Sequence, residues 1–284
     1  MAMTPRERFL TALRGGVPDR VPVAPDISNY IPARRTGLPF WEIYFERKIP
    51  LWRAYLDAAD HYGIDPWIGS CCGAPFRWSD TGCEHAGETV YDEAQDAMVR
   101  TTTTRTPEGD LVSRSLCFRA DPPSPVEKPI KDLARDWPAY RATMGEPTGI
   151  DKAALEEIRR ECRARDCAFG VCVGYPGFQG WSGQVEGGVE QLAFATIDHP
   201  AILDEWHERD LAAGTRAVEL LLQTDVDYLT LGGSGTITLA SPELARRYAL
   251  PAIRRWSAMC KAAGVATVLH SCGKSRVLVD MLAE

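Results

Sequence analysis

From residue 168 to residue 273 the chain alternates short apolar runs with long amphipathic ones, and this order restricts the fold more than any other feature. The runs 168–174, 227–234 and 265–269 carry no polar alternation, which is how a parallel strand covered on both faces reads. Between them lie two apolar stripes, one at Leu203, Trp206, Leu211, Val218, Leu221 and Leu222, the other at Leu244, Tyr248, Ile253, Trp256 and Cys260. Both stripes have the period of a helix. Strand, helix, strand, helix, strand, with connections long enough to cross over, is the βα repeat of a parallel sheet. A dinucleotide-binding sheet would open with a Gly-x-Gly-x-x-Gly turn after its first strand, and none is present.

The last of these runs carries the sharpest chemistry, because Val268-Leu269 leads into His270-Ser271-Cys272-Gly273. Side chains two apart on a strand share a face. His270 and Cys272 are therefore expected to project together from the strand's C-terminal end. Imidazole nitrogen and thiolate sulfur are donors that Zn²⁺ prefers, while the same spacing also fits a satisfied core histidine beside a small buried cysteine. Three more polar residues fall at strand ends: Asp26 after the proline-bounded segment 18–26, Tyr175 after 168–174, and Ser234 after the glycine pair Gly232-Gly233. Asp26 fits equally the N-cap of the next segment. The loop Tyr175-Pro176-Gly177-Phe178-Gln179-Gly180-Trp181 has the aromatic, glycine-rich character of a loop that closes a pocket, and also of one that packs on a neighbouring helix. Polar residues gathered from several strand ends suit the active mouth of a TIM (β/α)8-type barrel.

Earlier in the chain, Thr4-Pro5-Arg6-Glu7 reads as a capping box opening a helix, with Gly15-Gly16 ending it. The period of Leu51, Trp52, Tyr55, Leu56 and Ala59 predicts a helix stopped by Gly63, and residues 64–69 read as a second strand. Cys83-Glu84-His85 reads as loop. Residues 98–118, with Pro107-Glu108-Gly109-Asp110 at the turn, predict an antiparallel hairpin inserted between parallel units. Asp151 is placed to cap a helix through Leu155, Ile158 and Cys162. A chain of 284 residues, 45% apolar, can bury a sizeable core. Its net charge of −7 disfavours nucleic acid or an anionic membrane as partner. No apolar run approaches a membrane span, and the first residues do not open a signal peptide. Nine scattered cysteines, an odd number, point to a reducing, cytoplasmic compartment.

The opening Thr-Pro-Arg-Glu-Arg-Phe-Leu, the Pro-Asp-Arg-Val-Pro-Val segment, Ser241-Pro242-Glu243-Leu244 with Leu250-Pro251, and Ala263-Gly264 leading to His270-Ser271-Cys272-Gly273 resemble the uroporphyrinogen decarboxylase superfamily. The resemblance covers essentially the whole chain. It implies a cytoplasmic, dimeric TIM barrel, a single barrel domain over residues 1–284, and one of two chemistries. These are cofactor-free decarboxylation of uroporphyrinogen and zinc-dependent methyl transfer between a corrinoid and a thiol. In the decarboxylases an Arg-Gln-Ala-Gly-Arg stretch after the first strand binds substrate carboxylates. Here Pro25-Asp26-Ile27-Ser28-Asn29 stands in its place, with Arg34 and Arg35 a little later. A polycarboxylate substrate needs fixed cations, so the resemblance points to the methyltransferase branch.

In that branch His270 and Cys272 match the first two zinc ligands and, with Asp26, are the catalytic candidates. Asn29, Tyr30, Tyr175, Gln179, Trp181 and Ser234 are the substrate-binding candidates. The implied partners are a small thiol and a corrinoid or corrinoid protein, with neither nucleic acid nor membrane. The family's third zinc ligand is a cysteine further along, expected beyond residue 284. Parallel strands are counted near Val21, Ile64, Phe169, Tyr228 and Val268, against eight in a closed barrel. The expectation is thus a barrel truncated at its C-terminus, short of on the order of 60–80 residues at roughly 30 per βα unit. Two alternatives remain open: a carboxy-lyase acting on tetrapyrrole acetates with Asp26 near the pyrrole nitrogens, and a non-catalytic corrinoid- or tetrapyrrole-binding member.

Overall fold

The computed structural model describes residues 2–27, 29–69, 72–174, 176–232, 241–271 and 275–283. The chain opens with α1 (Pro5–Leu13), where the Glu7 amide donates to Thr4 Oγ1 and the Thr4 amide to the Glu7 carboxylate. The capping box thus pairs two amides that the helix itself leaves without partners. Residues 16–27 enter neither helix nor strand. This corrects the first expected barrel strand. Pro18, Pro22 and Pro25 remove three ladder donors, and Val21 and Val23 are 81% and 51% exposed. Polar groups hold the segment instead: the Asp65 amide donates to the Val23 carbonyl, and the Asp65 carboxylate accepts from the Val23 amide, Arg8 and Arg20.

Two short helices, α2 (Tyr30–Arg35) and α3 (Phe40–Tyr44), precede α4 (Leu51–Tyr62), which Gly63 closes at φ 61° as its position predicted. The expected second strand contributes one bridge, Trp67 to Ala168. After β1 (Phe76–Trp78) the chain forms β2 (Glu84–Asp92), β3 (Ala97–Thr106), β4 (Gly109–Phe118) and β5 (Ser124–Glu127), an antiparallel meander paired in chain order. The expected hairpin is its central pair. Glu84 and His85 begin a strand rather than lying in a loop. Next come α5 (Leu133–Ala142), β6 (Pro147–Ile150), which pairs antiparallel with β1, and α6 (Lys152–Ala164). Asp151 caps α6 by accepting from the Ala153 and Ala154 amides.

The βα part follows the expected order. β7 (Gly170–Gly174) is followed by α7 (Phe178–Ser182), α8 (Val189–Asp198) and α9 (Pro200–Leu221), then β8 (Tyr228–Leu231). α10 (Pro242–Tyr248) and α11 (Leu250–Ala262) lead to β9 (Ala266–Leu269), and α12 (Val279–Ala283) follows a 3-10 turn. α10 and α11 are separate helices because Pro251 has no amide to continue α10, and Ala249 both ends one helix and starts the next. β7, β8 and β9 pair in parallel, with Thr230 opposite Cys172 on one side and Val268 on the other. Bridges from Trp67 to Ala168 and from Gly73 to Cys172 extend this sheet past β7. Among the described residues the strands therefore form sheets of two, four and three, and the TIM-type barrel truncated at its C-terminus, expected from the sequence, is not formed.

Alternation along β8 separates two environments. Leu229 and Leu231 join Val171, Leu56, Ile158, Val218 and Trp256 in the main buried cluster, supplied by α4, α6, α9 and α11. Tyr228 lies on the other face with Phe9, Leu10 and Trp67. Its ring covers Gly170, where a Cβ would collide with it, and its hydroxyl accepts the Gly69 amide at 2.9 Å. A second cluster stacks Trp181 on Trp206 at 4.9 Å and packs both against Phe178 and Tyr248. No helix among the described residues is long and apolar enough to cross a membrane.

Candidate functional site

His270 directly follows β9. Its amide donates to the Leu231 carbonyl at 3.1 Å, so the sheet's own pairing fixes the backbone where the imidazole departs. The side chain is exposed. Alternation assigns it to the face of Val268 and, across the ladder, Thr230. Thr230 Oγ1 and Ser271 Oγ are buried without a hydrogen-bond partner among the described residues. A buried hydroxyl left in this state costs free energy that a bound polar group would recover. Cys272, the expected companion of His270, lies outside the described residues, as do Tyr175 and Ser234. Among the described residues no three metal-binding side chains converge.

The other expected site residues fall elsewhere. Asp26 is exposed and belongs to the irregular segment rather than to a strand end, while its neighbour Ile27 is anchored in the main core. Asn29 precedes α2 without capping it through its side chain, and its carbonyl accepts from the Ala33 amide and the Tyr44 hydroxyl. Tyr30 opens α2 and meets Phe40 edge-on at 5.6 Å. Gln179 is half-buried on α7. Trp181, on the same helix, is only 1% exposed. The aromatic loop thus packs on helices, the alternative left open above, because two large rings lose more water by joining Trp206 and Tyr248 than by bordering a mouth. The polar edge of Trp181 still matters: Nε1 donates to Asp210 Oδ2 at 2.6 Å.

That bond leads to a second site. A cavity of about 1250 Å³ opens between the C-terminal end of β7, the middle of α9, β1 and the end of α5. Asp210 faces it. Burial pushes the Asp210 carboxyl up to about 6, against the pull of the Trp181 indole. Trp181 is its one hydrogen-bond donor among the described residues, which leaves Oδ1 open. Tyr140 lines the same cavity, and burial together with the nearby Asp210 raises its hydroxyl well above the ordinary phenol range. Glu205, one face of the helix away, is satisfied: the Trp137 indole at 3.0 Å and Arg209 at 3.1 Å hold its carboxylate below the usual value. Arranged this way, Asp210 can give or take a proton near neutral pH or oppose a bound positive charge.

The sequence contained a signal for Asp210 that the stripe reading passed over. Positions 203, 206 and 210 repeat at helical spacing, so the stripe that buries Leu203 and Trp206 puts a carboxylate on the covered side of α9. A half-buried acid beside a core stripe calls for a partner or a role. No family model matches the chain, and no curated protein matches it.

Proposed function

We propose that this chain transfers a methyl group between a corrinoid and a small thiol, as the methyltransferase branch of the superfamily it resembles does, with the thiol seated where His270 leaves the parallel sheet. The supporting observation is the placement of His270: an exposed imidazole at the end of β9, its backbone set by the ladder bond to Leu231, on the strand face of Thr230, whose buried hydroxyl has no partner among the described residues. Parallel α/β sheets bind ligands outside the C-terminal ends of their strands.

His270 and Cys272 would hold zinc, for which imidazole and thiolate are the right donor types, and the described residues supply the first of the two. Zinc, when bound, keeps an acceptor thiol ionised at neutral pH, where a free thiol is only ~3% thiolate. The chain's own groups set the geometry. Main-chain pairing fixes the backbone at His270, and the Thr230 and Ser271 hydroxyls offer hydrogen bonds to a polar group of the thiol substrate. Metal analysis with a methylcobalamin-to-thiol assay tests this on wild type, His270→Ala and Cys272→Ala. Zinc-dependent thiol methylation by wild type, lost in either variant, is the expected result. Metal-free protein that releases CO₂ from uroporphyrinogen would overturn it in favour of the carboxy-lyase.

A further inference from the structure

We propose that the cavity between β1, α5 and α9 binds an organic ammonium ion, with the Asp210 carboxylate as its counter-charge and the rings of Phe76, Trp78 and Tyr140 as its walls. The proposal is independent of the His270 site. Phe76 and Trp78 stand two apart on β1 and so share a face. Their rings meet edge-to-face at 6.0 Å, and both line the cavity. Trp78 remains 57% exposed, a large ring turned to the opening instead of to a core. Tyr140 brings a third ring from α5, close enough to Asp210 for the carboxylate to hold back its ionisation. Aromatic faces attract cations, most strongly where water is excluded.

The charges select the same ligand. Glu146, Glu205, Glu208 and Asp210 face the cavity, against Arg209, already held by Glu205, and His85, which is bonded to Thr104. An anion would meet this excess of carboxylates. A neutral guest would leave the half-buried Asp210 carboxylate without the partner its charge favours. A bare divalent cation needs several oxygens at short range, and among the described residues no three donors converge. An ammonium group satisfies both features, by charge against Asp210 and by its methyl or methylene groups against the rings. The cavity, about 1250 Å³, leaves room for the remainder of a small molecule.

Calorimetric titration of the full chain with choline, and with its neutral isostere 3,3-dimethyl-1-butanol, tests the assignment. Choline should bind saturably, and the neutral compound about tenfold more weakly or worse. Asp210→Asn and Trp78→Ala should each weaken choline about tenfold. Trp78 is exposed enough that its removal leaves the core intact, and thermal melting of both variants confirms folding. Absence of saturation by ~10 mM choline, equal binding of the two compounds, or unchanged affinity in folded Asp210→Asn would each overturn the proposal.

Discussion

Asp210 and Asp65 are both covered acids, and their surroundings make them opposite in worth. Asp65 is 1% exposed and accepts from Arg8, Arg20 and the Val23 amide. Among the described residues Asp210 has the Trp181 indole alone, and burial lifts it from 3.8 to about 6. Below about pH 4 the folded and unfolded Asp210 are both neutral, and no penalty exists. Between about 4 and 6 the unfolded carboxyl gives up its proton while the folded one keeps it, so stability falls as pH rises. Above about 6 the whole penalty applies, about 3 kcal/mol for a shift of roughly two units. Asp210→Asn keeps an acceptor for Trp181 and removes the charge. It should stabilise the apo chain at pH 7 by up to about 3 kcal/mol, with the gain falling below about 1 kcal/mol at pH 4, as urea unfolding at the two pH values will show. Asp65→Asn should do the reverse and lower the melting temperature at pH 7, because Arg8 would stay covered without its counter-charge. A stabilised Asp65→Asn, or an unchanged Asp210→Asn, would show that burial has been misjudged at that residue.

At the scale of elements, the parallel sheet depends on close approach between Tyr228 and a glycine. Gly170→Ala places a methyl inside the Tyr228 ring, so β7 and β8 must part or the ring must turn. Overpacking of this kind costs about 1–3 kcal/mol. Gly149→Ala on β6 meets nothing within 4 Å and should leave the chemical-denaturation midpoint near that of wild type. Equal effects at the two positions would remove Tyr228 from its place over the strand. Neither glycine's role was legible: Gly170 read as an ordinary strand glycine, Gly149 fell in no assigned element, and only the neighbouring chain distinguishes them. What the sequence did show rests on local physics: the Thr4 capping box, Gly63 as the end of α4, Asp151 at the start of α6, and the βα order from β7 to β9. β2 escaped because its residues are exposed on both faces except Asp92, which leaves no alternation to read. The Val21 segment misled in the other direction, since its valines look like a strand while its prolines cannot join a ladder. His270 at a strand end was legible from periodicity. The cavity was not, because Phe76, Trp78, Tyr140 and Asp210 come from three elements that only the tertiary fold brings together.

Across the whole molecule, the three sheets differ in how they are covered. β8 is paired on both sides and all four of its residues are buried, Leu229 and Leu231 in the cluster that α4, α6, α9 and α11 complete and Tyr228 in the one on the opposite face. The meander makes a shallower contact: Cys117 of β4 and Met98 of β3 pack on Phe40, Trp41 and Ile43 of α3, and Arg100 donates to the Phe45 carbonyl. β2 lies at its edge, paired to β3 alone. Opening β2 exposes little apolar surface, whereas freeing the β8 amides requires the main core to come apart. Hydrogen exchange should therefore separate two classes. Amides of β8 should exchange only through global unfolding, with a steep dependence on denaturant. Those of β2 should exchange orders of magnitude sooner, with a shallow dependence, because their opening is local. β3, bonded on both sides, should fall between them. If peptides from β2 and β8 exchanged at one rate with one denaturant slope, the meander and the parallel sheet would be a single cooperative unit. The thin apolar contact at α3 would then have to carry far more coupling than its buried area supports.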